Sequence, residues 1–432
     1  MNDTEVIIVG AGPVGLLLAA ELRLAGVRTL VLEQLAEPSP YTKAGGLHAR
    51  TLEQLAMREL TGPFLEGGVP VPAWHFGFLE QRLDLSRLDS PYPYMLAFPQ
   101  HRTEAVLQDR AIELGVDIRR GVRVTGLHVS ADGVRVTAQT GDTFDAGWVV
   151  GADGPGSAVR KLAGIGFPGT DADISSFVGD VRATTPPRPG YGVQNERGAL
   201  IVAQLSGGLF RFAGYDPAGP DRAGSDLTLD ELRETVARIS GQDFGLHDPA
   251  WLSRFGNATR VAEAYRRGRV LLAGDAAHMH APAGGVGLNL GLQDAMNLGW
   301  KLAAVAQGRA DAGLLDTYHD ERHPWGHDVG EHTMAQTALI TATAPTGQAL
   351  RRLLADAIAT VPELSLRWAR RLAGLDVRYG TDPLVGTRVA EISLPDGRPG
   401  HLDLPGLGPV LVRPDGYVWS KAGDTPEPRV SW

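Results

Sequence analysis

The sequence predicts an α/β protein in which a parallel, nucleotide-binding type of sheet receives a β-rich insertion and the chain then ends in a helical region. Three observations predict it. TEVIIVG, AGPVG, LLLAAELRLAG and VRTLVLE open the chain as strand, tight turn, helix and strand, a βαβ unit whose parallel strands need a buried sheet. A second strand, glycine turn and helix returns as RVLLAGD through GVGLNLGLQDAMNLGWKLA, beginning at Arg269. Between the two lie short alternating segments separated by glycine turns.

Composition narrows the class. A chain of 432 residues, 43% hydrophobic and 21% charged, suits two or three packed units. Its net charge of −9 argues against a nucleic-acid partner. There is no cysteine, which excludes disulfides, thiolate metal sites and cysteine nucleophiles, so redox chemistry must come from a cofactor. The first residues lead straight into an apolar strand, and the next apolar run is broken by Glu21 and Arg23; a cytoplasmic protein without a membrane role is expected.

In chain order, YTKAGGLHARTLEQLAMREL reads as a glycine-containing loop entering an amphipathic helix, and the proline-rich, aromatic stretch after Gly67 as an excursion into another domain. RTEAVLQDRAIELG is a helix, followed by a meander from GVDIRR to TFDAGWVVGADG. Residues 171–255 are mostly β with one helix, LTLDELRETVARISG, and after Gly268 the pattern turns helical through about Leu372. The last residues hold one clear strand and turn, PVLVRPDGYVWS.

Two motifs carry the chemistry. In GAGPVG, Gly10 permits the tight turn, Gly12 lets a pyrophosphate approach the backbone and Gly15 lets helix pack on strand; Pro13 and Val14 open the helix. Glu33, with Gln34 beside it, closes the next strand eighteen residues after Gly15, where its carboxylate can bind ribose hydroxyls and disfavours a 2′-phosphate. That leaves NAD or FAD. An extended cofactor would meet the strand-end Asp275 through its sugar-like hydroxyls, and the helix start at Gly287, Leu288 and Asn289 would present N–H groups to an electron-rich ring beyond. Only FAD has a polyhydroxyl chain between pyrophosphate and ring, so the second stretch is assigned to its flavin end.

GAGPVG with Glu33, GADGPGSAVR from Gly151 to Arg160, and GDAAHMHAPAGGVGLNLGLQDAMNLGWKLA follow in an order that resembles the class A flavoprotein monooxygenases of the para-hydroxybenzoate hydroxylase fold, over most of the chain. Within that family the chain looks most like aromatic-polyketide hydroxylases, with rifampicin monooxygenases close by. The resemblance implies a Rossmann-like FAD-binding domain in parts 1–74, 99–170 and 256–340. A substrate-domain excursion covers 75–98, the inserted β-rich substrate domain 171–255, a helical region 341–380 and a shortened thioredoxin-like tail 381–432. It further implies that Asp275 binds the ribityl chain, that Pro282, Leu288 and Asn289 border the isoalloxazine, and that Arg50 and Gln100 contact FAD. Val124 would lie at the adenine, and Asp153 with Arg160 would organise the pyrophosphate side. Lys43 stands where relatives carry arginine and would lack its planar fork at the flavin.

The activity implied is single-component hydroxylation of a polycyclic phenol or quinone with NAD(P)H and O₂, through a flavin C4a-hydroperoxide. Arg211 in LFRFAG is the candidate for stabilising a phenolate or the hydroperoxide, against a plain solvent-facing arginine on a strand. His75, Phe76, Phe78, Phe212, Pro282 and Ala283 are candidates for the substrate wall, against ordinary core packing. His278 and His280 alternate like metal ligands but lack a third; no metal is expected, and His278 reads as a structural hydrogen-bonder. Rival readings are inactivation of a naphthoquinone ansamycin antibiotic, a Baeyer–Villiger variant, a halogenase, which the missing WxW pair disfavours, and a non-catalytic FAD scaffold. The expected partner is a small polycyclic aromatic, with a homodimer as the open oligomeric option.

Overall fold

The computed structural model describes residues 4–188, 190–219, 226–404, 408–421, 423–424 and 430–431. A six-stranded sheet forms its centre, in the order Arg266–Arg267, Val270–Leu272, Trp148–Gly151, Val6–Val9, Thr29–Glu33 and Asp117–Arg120. All pairings are parallel except that of the short edge strand Arg266–Arg267. Val6, Ile7 and Ile8 are wholly buried, as a parallel strand covered on both faces requires. The helices Pro13–Leu24 and Gly287–Ala306 pack side by side in this core, which Val134 and Val136 also enter, and the carboxyl ends of the central strands open towards the glycine-rich turns. The strands Val124–Val129, Val134–Ala138 and Thr143–Ala146 form the meander that returns the chain to the sheet.

A second sheet is antiparallel throughout: Gly192–Asn195, Gly198–Gln204, Phe210–Tyr215, Ser175–Ala183 and Leu246–Gly256. Its inner face packs Phe177, Leu200 and Phe212 against Leu232, Val236 and Ile239 of the helix Leu229–Ser240. That helix starts at a capping box between Thr228 and Glu231 and stops at Gly241, whose φ of 74° ends it in the left-handed region.

Residues 75–98 pair differently from the five-stranded sheet. Ala73–Trp74 joins Leu83–Asp84, while Met95–Ala97 joins Gly46–Leu47 and Val69–Val71. Phe76, Leu79, Leu83 and Leu88 then pack with Leu339, Ile358, Ala369 and Leu372 of the later helices. In the tail, Gly400–Leu404, Gly408–Val412 and Val418–Lys421 make an antiparallel sheet, with no helix among its described residues. No helix among the described residues is long and apolar enough to cross a membrane.

Candidate active site

Both glycine-rich stretches open onto one cavity of about 760 Å³, near the upper end of the ~300–1,000 Å³ usual for ligand sites. Its walls include Gly10, Gly12, Pro13 and Val14 of the first turn, Glu33 and Gln34 of the second strand, and Val124 and Asp153. Lys43 and Gln100 join them, and Asp275, Pro282, Gly287 and Leu288 line it too. The fit to a dinucleotide is steric and electrostatic. Gly10 has φ 111°, and a Cβ there would stand 2.3 Å from the Ala152 carbonyl oxygen; at Gly15 it would stand 2.0 Å from that of Gly10. A Cβ at Gly12 would meet no protein atom within 4 Å, so that face of the turn is free for a ligand. The helices Pro13–Leu24 and Gly287–Ala306 both begin without a side-chain cap. Two sets of free N–H groups therefore face one cavity, one suited to a pyrophosphate and one to an electron-rich ring.

The acidic groups divide into spent and unspent. Glu33 accepts Ala11 N and Leu35 N, both at 2.8 Å, which closes the turn around its carboxylate. Asp153 accepts Ser157 Oγ at 2.5 Å and Ala158 N at 2.7 Å, capping the helix Ala158–Leu162. Asp275 lines the cavity with no hydrogen-bond partner among the described residues. FAD fits this donor and acceptor set: the glycine turn would hold its pyrophosphate, Glu33 its adenosine ribose and Asp275 its ribityl hydroxyls.

Several predicted residues lie behind the wall instead. Arg50 is fully buried and donates to Glu53, to Val389 O and to the Asp415 and Gly416 carbonyls at 3.0 Å, so it holds the carboxyl-terminal tail and does not reach the cavity. Arg160 donates to Pro155 O and Ala276 O at 2.8 Å and lies over Phe167, bracing two wall segments. Asn289 accepts His48 N at 2.8 Å and donates to Gly46 O and Gly285 O, locking the loop that borders the cavity. Gln100 lines the wall while its Oε1 holds Ala44 N.

The substrate candidates separate likewise. Phe212 is wholly buried on the inner face of its strand against Phe244, and Phe76 stacks on Trp368 at 4.3 Å; both are core, because strand alternation and helix packing turn them away from the opening. Ala283 is buried in the turn after Pro282. His75 and Phe78 meet edge to face at 4.7 Å, and Trp74 next to them donates to Gly284 O in the loop lining the cavity. Burial pushes the His75 imidazole down to about 3 and that of His48, which also donates to Gly284 O, to about 4.

Arg211 is neither solvent-facing nor free. It pairs with Asp180 through two bonds of 2.8 and 2.7 Å and donates to the carbonyls of Thr42 and Lys43, tying the β-rich domain to the loop that carries Lys43 into the cavity. His278 Nε2 donates to Asp294 at 2.6 Å, the structural role read from the sequence. Three segments of wall were passed over in the sequence: Ala44 and Gly45, visible as small residues in YTKAGG; Arg123, exposed in a meander with no motif; and His280, weighed only as a metal ligand.

Comparison with known proteins follows this geometry. A family model described as an FAD binding domain matches residues 3–333. An uncharacterized aromatic compound monooxygenase of Bacillus subtilis is 44% identical over 92% of this chain and 80% of its own. A rifampicin monooxygenase of Streptomyces venezuelae is 44% identical over 91% of this chain and 84% of its own. Among solved structures, the anhydrotetracycline hydroxylase OxyS of Streptomyces rimosus superposes with a TM-score of 0.89 at 41% identity, covering 97% of this chain and 95% of that one.

Proposed function

We propose a substrate class for this chain, which belongs to the FAD binding domain family and is an FAD-dependent aromatic monooxygenase using NAD(P)H and O₂: polycyclic phenols or quinones of the aromatic-polyketide type. The observation that carries the reading is the single cavity onto which both uncapped helix starts and the unspent Asp275 open. The likeness to OxyS over nearly the whole of both chains supports the substrate class.

When bound, FAD supplies the relay of two electrons from NAD(P)H to O₂. The chain's own residues do the rest. Gly12 and the first turn of Pro13–Leu24 bind the pyrophosphate; Glu33 orients the adenosine, and Asp275 the ribityl chain. The start of Gly287–Ala306 would offer its free N–H groups to the electron-rich ring of the cofactor and favour negative charge there. Pro282, with the loop held by Asn289, His48 and Trp74, sets the wall against which a flat aromatic rests. Arg211 and Asp180 keep the Lys43 loop in register with the β-rich domain, so they position and do not react.

A second reading, hydroxylation of an ansamycin, has the rifampicin monooxygenase likeness in its favour. NADPH and NADH oxidation in air, with peroxide recorded in parallel, separates them across tetracyclic, angucyclic and ansa-naphthoquinone compounds. Stimulated consumption without matching peroxide identifies the substrate class. Consumption that no compound stimulates, beside normal anaerobic flavin reduction, counts against both classes.

A further inference from the structure

His280 lies in the wall of the cavity, beside the start of the helix Gly287–Ala306. Its Nδ1 is 2.9 Å from the Ala281 carbonyl oxygen. A carbonyl only accepts, so in the neutral ring the proton sits on Nδ1 and Nε2 carries a bare lone pair. That lone pair has no protein partner among the described residues, and a Cβ built on Gly287 would stand 3.4 Å from it, so the ring leans on the first residue of the helix. Burial lowers the affinity of this imidazole for a proton, and neighbouring His278 acts in the same direction; the Ala281 carbonyl and Asp275 oppose them.

We infer that His280 is a positioning residue of the cofactor site, whose Nε2 lone pair accepts a hydrogen bond from a ring N–H that bound FAD carries in both redox states and holds the flavin's two-electron potential down. The inference rests on FAD occupying the cavity. The physical basis is a contest at one helix start. The free N–H groups and the helix dipole favour the extra negative charge of reduced flavin, whereas an acceptor lone pair directed at the same region opposes it. With no Cβ at position 287, the ring sits against the helix start without crowding, since a Cβ there would stand 3.3 Å from its Cε1. The consequence for the reaction is a reduced flavin that gives up its electrons to O₂ more readily than the helix alone would allow.

The test uses purified holoenzyme and two variants. His280→Phe keeps a ring against Gly287 without the lone pair; His280→Leu is a second apolar replacement should Phe fit badly. For each, the midpoint potential is measured by dye equilibration under anaerobic conditions, and the dissociation constant of oxidised FAD by fluorescence. Both variants should favour reduced over oxidised FAD about tenfold more than wild type does, a rise of about 30 mV for a two-electron couple. Unchanged potentials with FAD still bound overturn the assignment. So does equal weakening of both redox states, which makes His280 a packing residue. A wild-type chain that binds no FAD overturns the cofactor reading itself, and the assignment with it.

Discussion

Along the helix Gly287–Ala306, the first turn faces the cavity with no side-chain cap and no charge, whereas Asp294, Asn297 and Lys301, two to four turns further on, are buried among fixed partners. Asp294 accepts from His278, from Arg322 Nε at 2.8 Å and from Gly274 N. Lys301 Nζ lies 2.8 Å from Glu321, which also holds Arg413, and Arg413 in turn pairs with Asp415 of the tail. One end of the helix keeps its backbone N–H groups unspent for a ligand; the middle spends every charge on holding three distant segments together. The difference teaches where each kind of residue is needed: free backbone N–H groups where something must bind and leave, satisfied side chains where nothing should move.

The sharpest way to break that contrast is to delete the centre of the buried seam. Asp294→Ala leaves Arg322 and His278 buried without their carboxylate, and stability should fall by about 3–5 kcal/mol. Urea unfolding at saturating FAD measures it, with Asp294→Asn as a milder variant that preserves shape. A loss under about 1 kcal/mol would put the seam on a par with a surface ion pair.

At the cavity end the same operation should act on the ligand and spare the fold. Asp275 has no hydrogen bond to lose among the described residues, so Asp275→Ala should weaken FAD binding by roughly 10- to 100-fold, the worth of one hydrogen bond to a charged group. Melting of the FAD-free protein should stay within about 0.5 kcal/mol of wild type. Retained FAD at wild-type affinity would remove Asp275 from the site.

Acid separates the two regions by pH. His48 and His75, behind the cavity loop, are held near 4 and 3 against an ordinary 6.5, both by burial. The unfolded chain therefore takes up protons that the folded one refuses, and stability should decline as pH falls from 6.5 towards 4. In the seam the signs differ in window. Burial alone would raise Asp294 and Glu321, but Arg322 and His278 beside one, and Arg413 and Lys301 beside the other, hold both below the ordinary 3.8 and 4.5. Their contribution is complete above pH 4.5 and is lost only below it. Urea midpoints across this range should show a decline beginning near pH 6.5 that is shallower in His48→Gln, a replacement able to keep a donor towards Gly284 and leaving His75 to carry the remainder. A flat profile down to pH 4.5 in the wild type would show that the buried histidines protonate freely in the folded protein.

Legibility follows the same division. The glycine turn, Glu33, Asp275 and the start at Gly287 were readable because backbone geometry and helix ends demand particular residues at fixed spacing. Arg50, Arg160 and Asn289 carry family-like motifs yet act one layer behind the wall, and no spacing rule distinguishes a contact from its support. The Arg413, Glu321 and Lys301 cluster joins two residues twenty positions apart to a third more than ninety further on, and long charged side chains read as solvated until the fold brings a partner. Phe212 shows a smaller failure. Alternation placed it on a strand, but which of the two faces meets the helix Leu229–Ser240 depends on register, and a shift by one would have exchanged it with Arg211.

The smallest expected effect lies where the two regimes overlap. Glu33 is a cavity residue, yet its carboxylate oxygens are both committed, one to Ala11 N and one to Leu35 N. An amide in Glu33→Gln has one accepting oxygen, so one backbone N–H must turn to water at a cost of about 1 kcal/mol. If the carboxylate also receives ribose hydroxyls, FAD affinity should fall a further few-fold beyond what the stability change accounts for. Titrating FAD into the apo variant and melting the same sample measures both quantities. A stability loss without the affinity loss would move Glu33 from the ligand-binding end of the contrast to the structural one, since its bonds to the turn would then be its whole role.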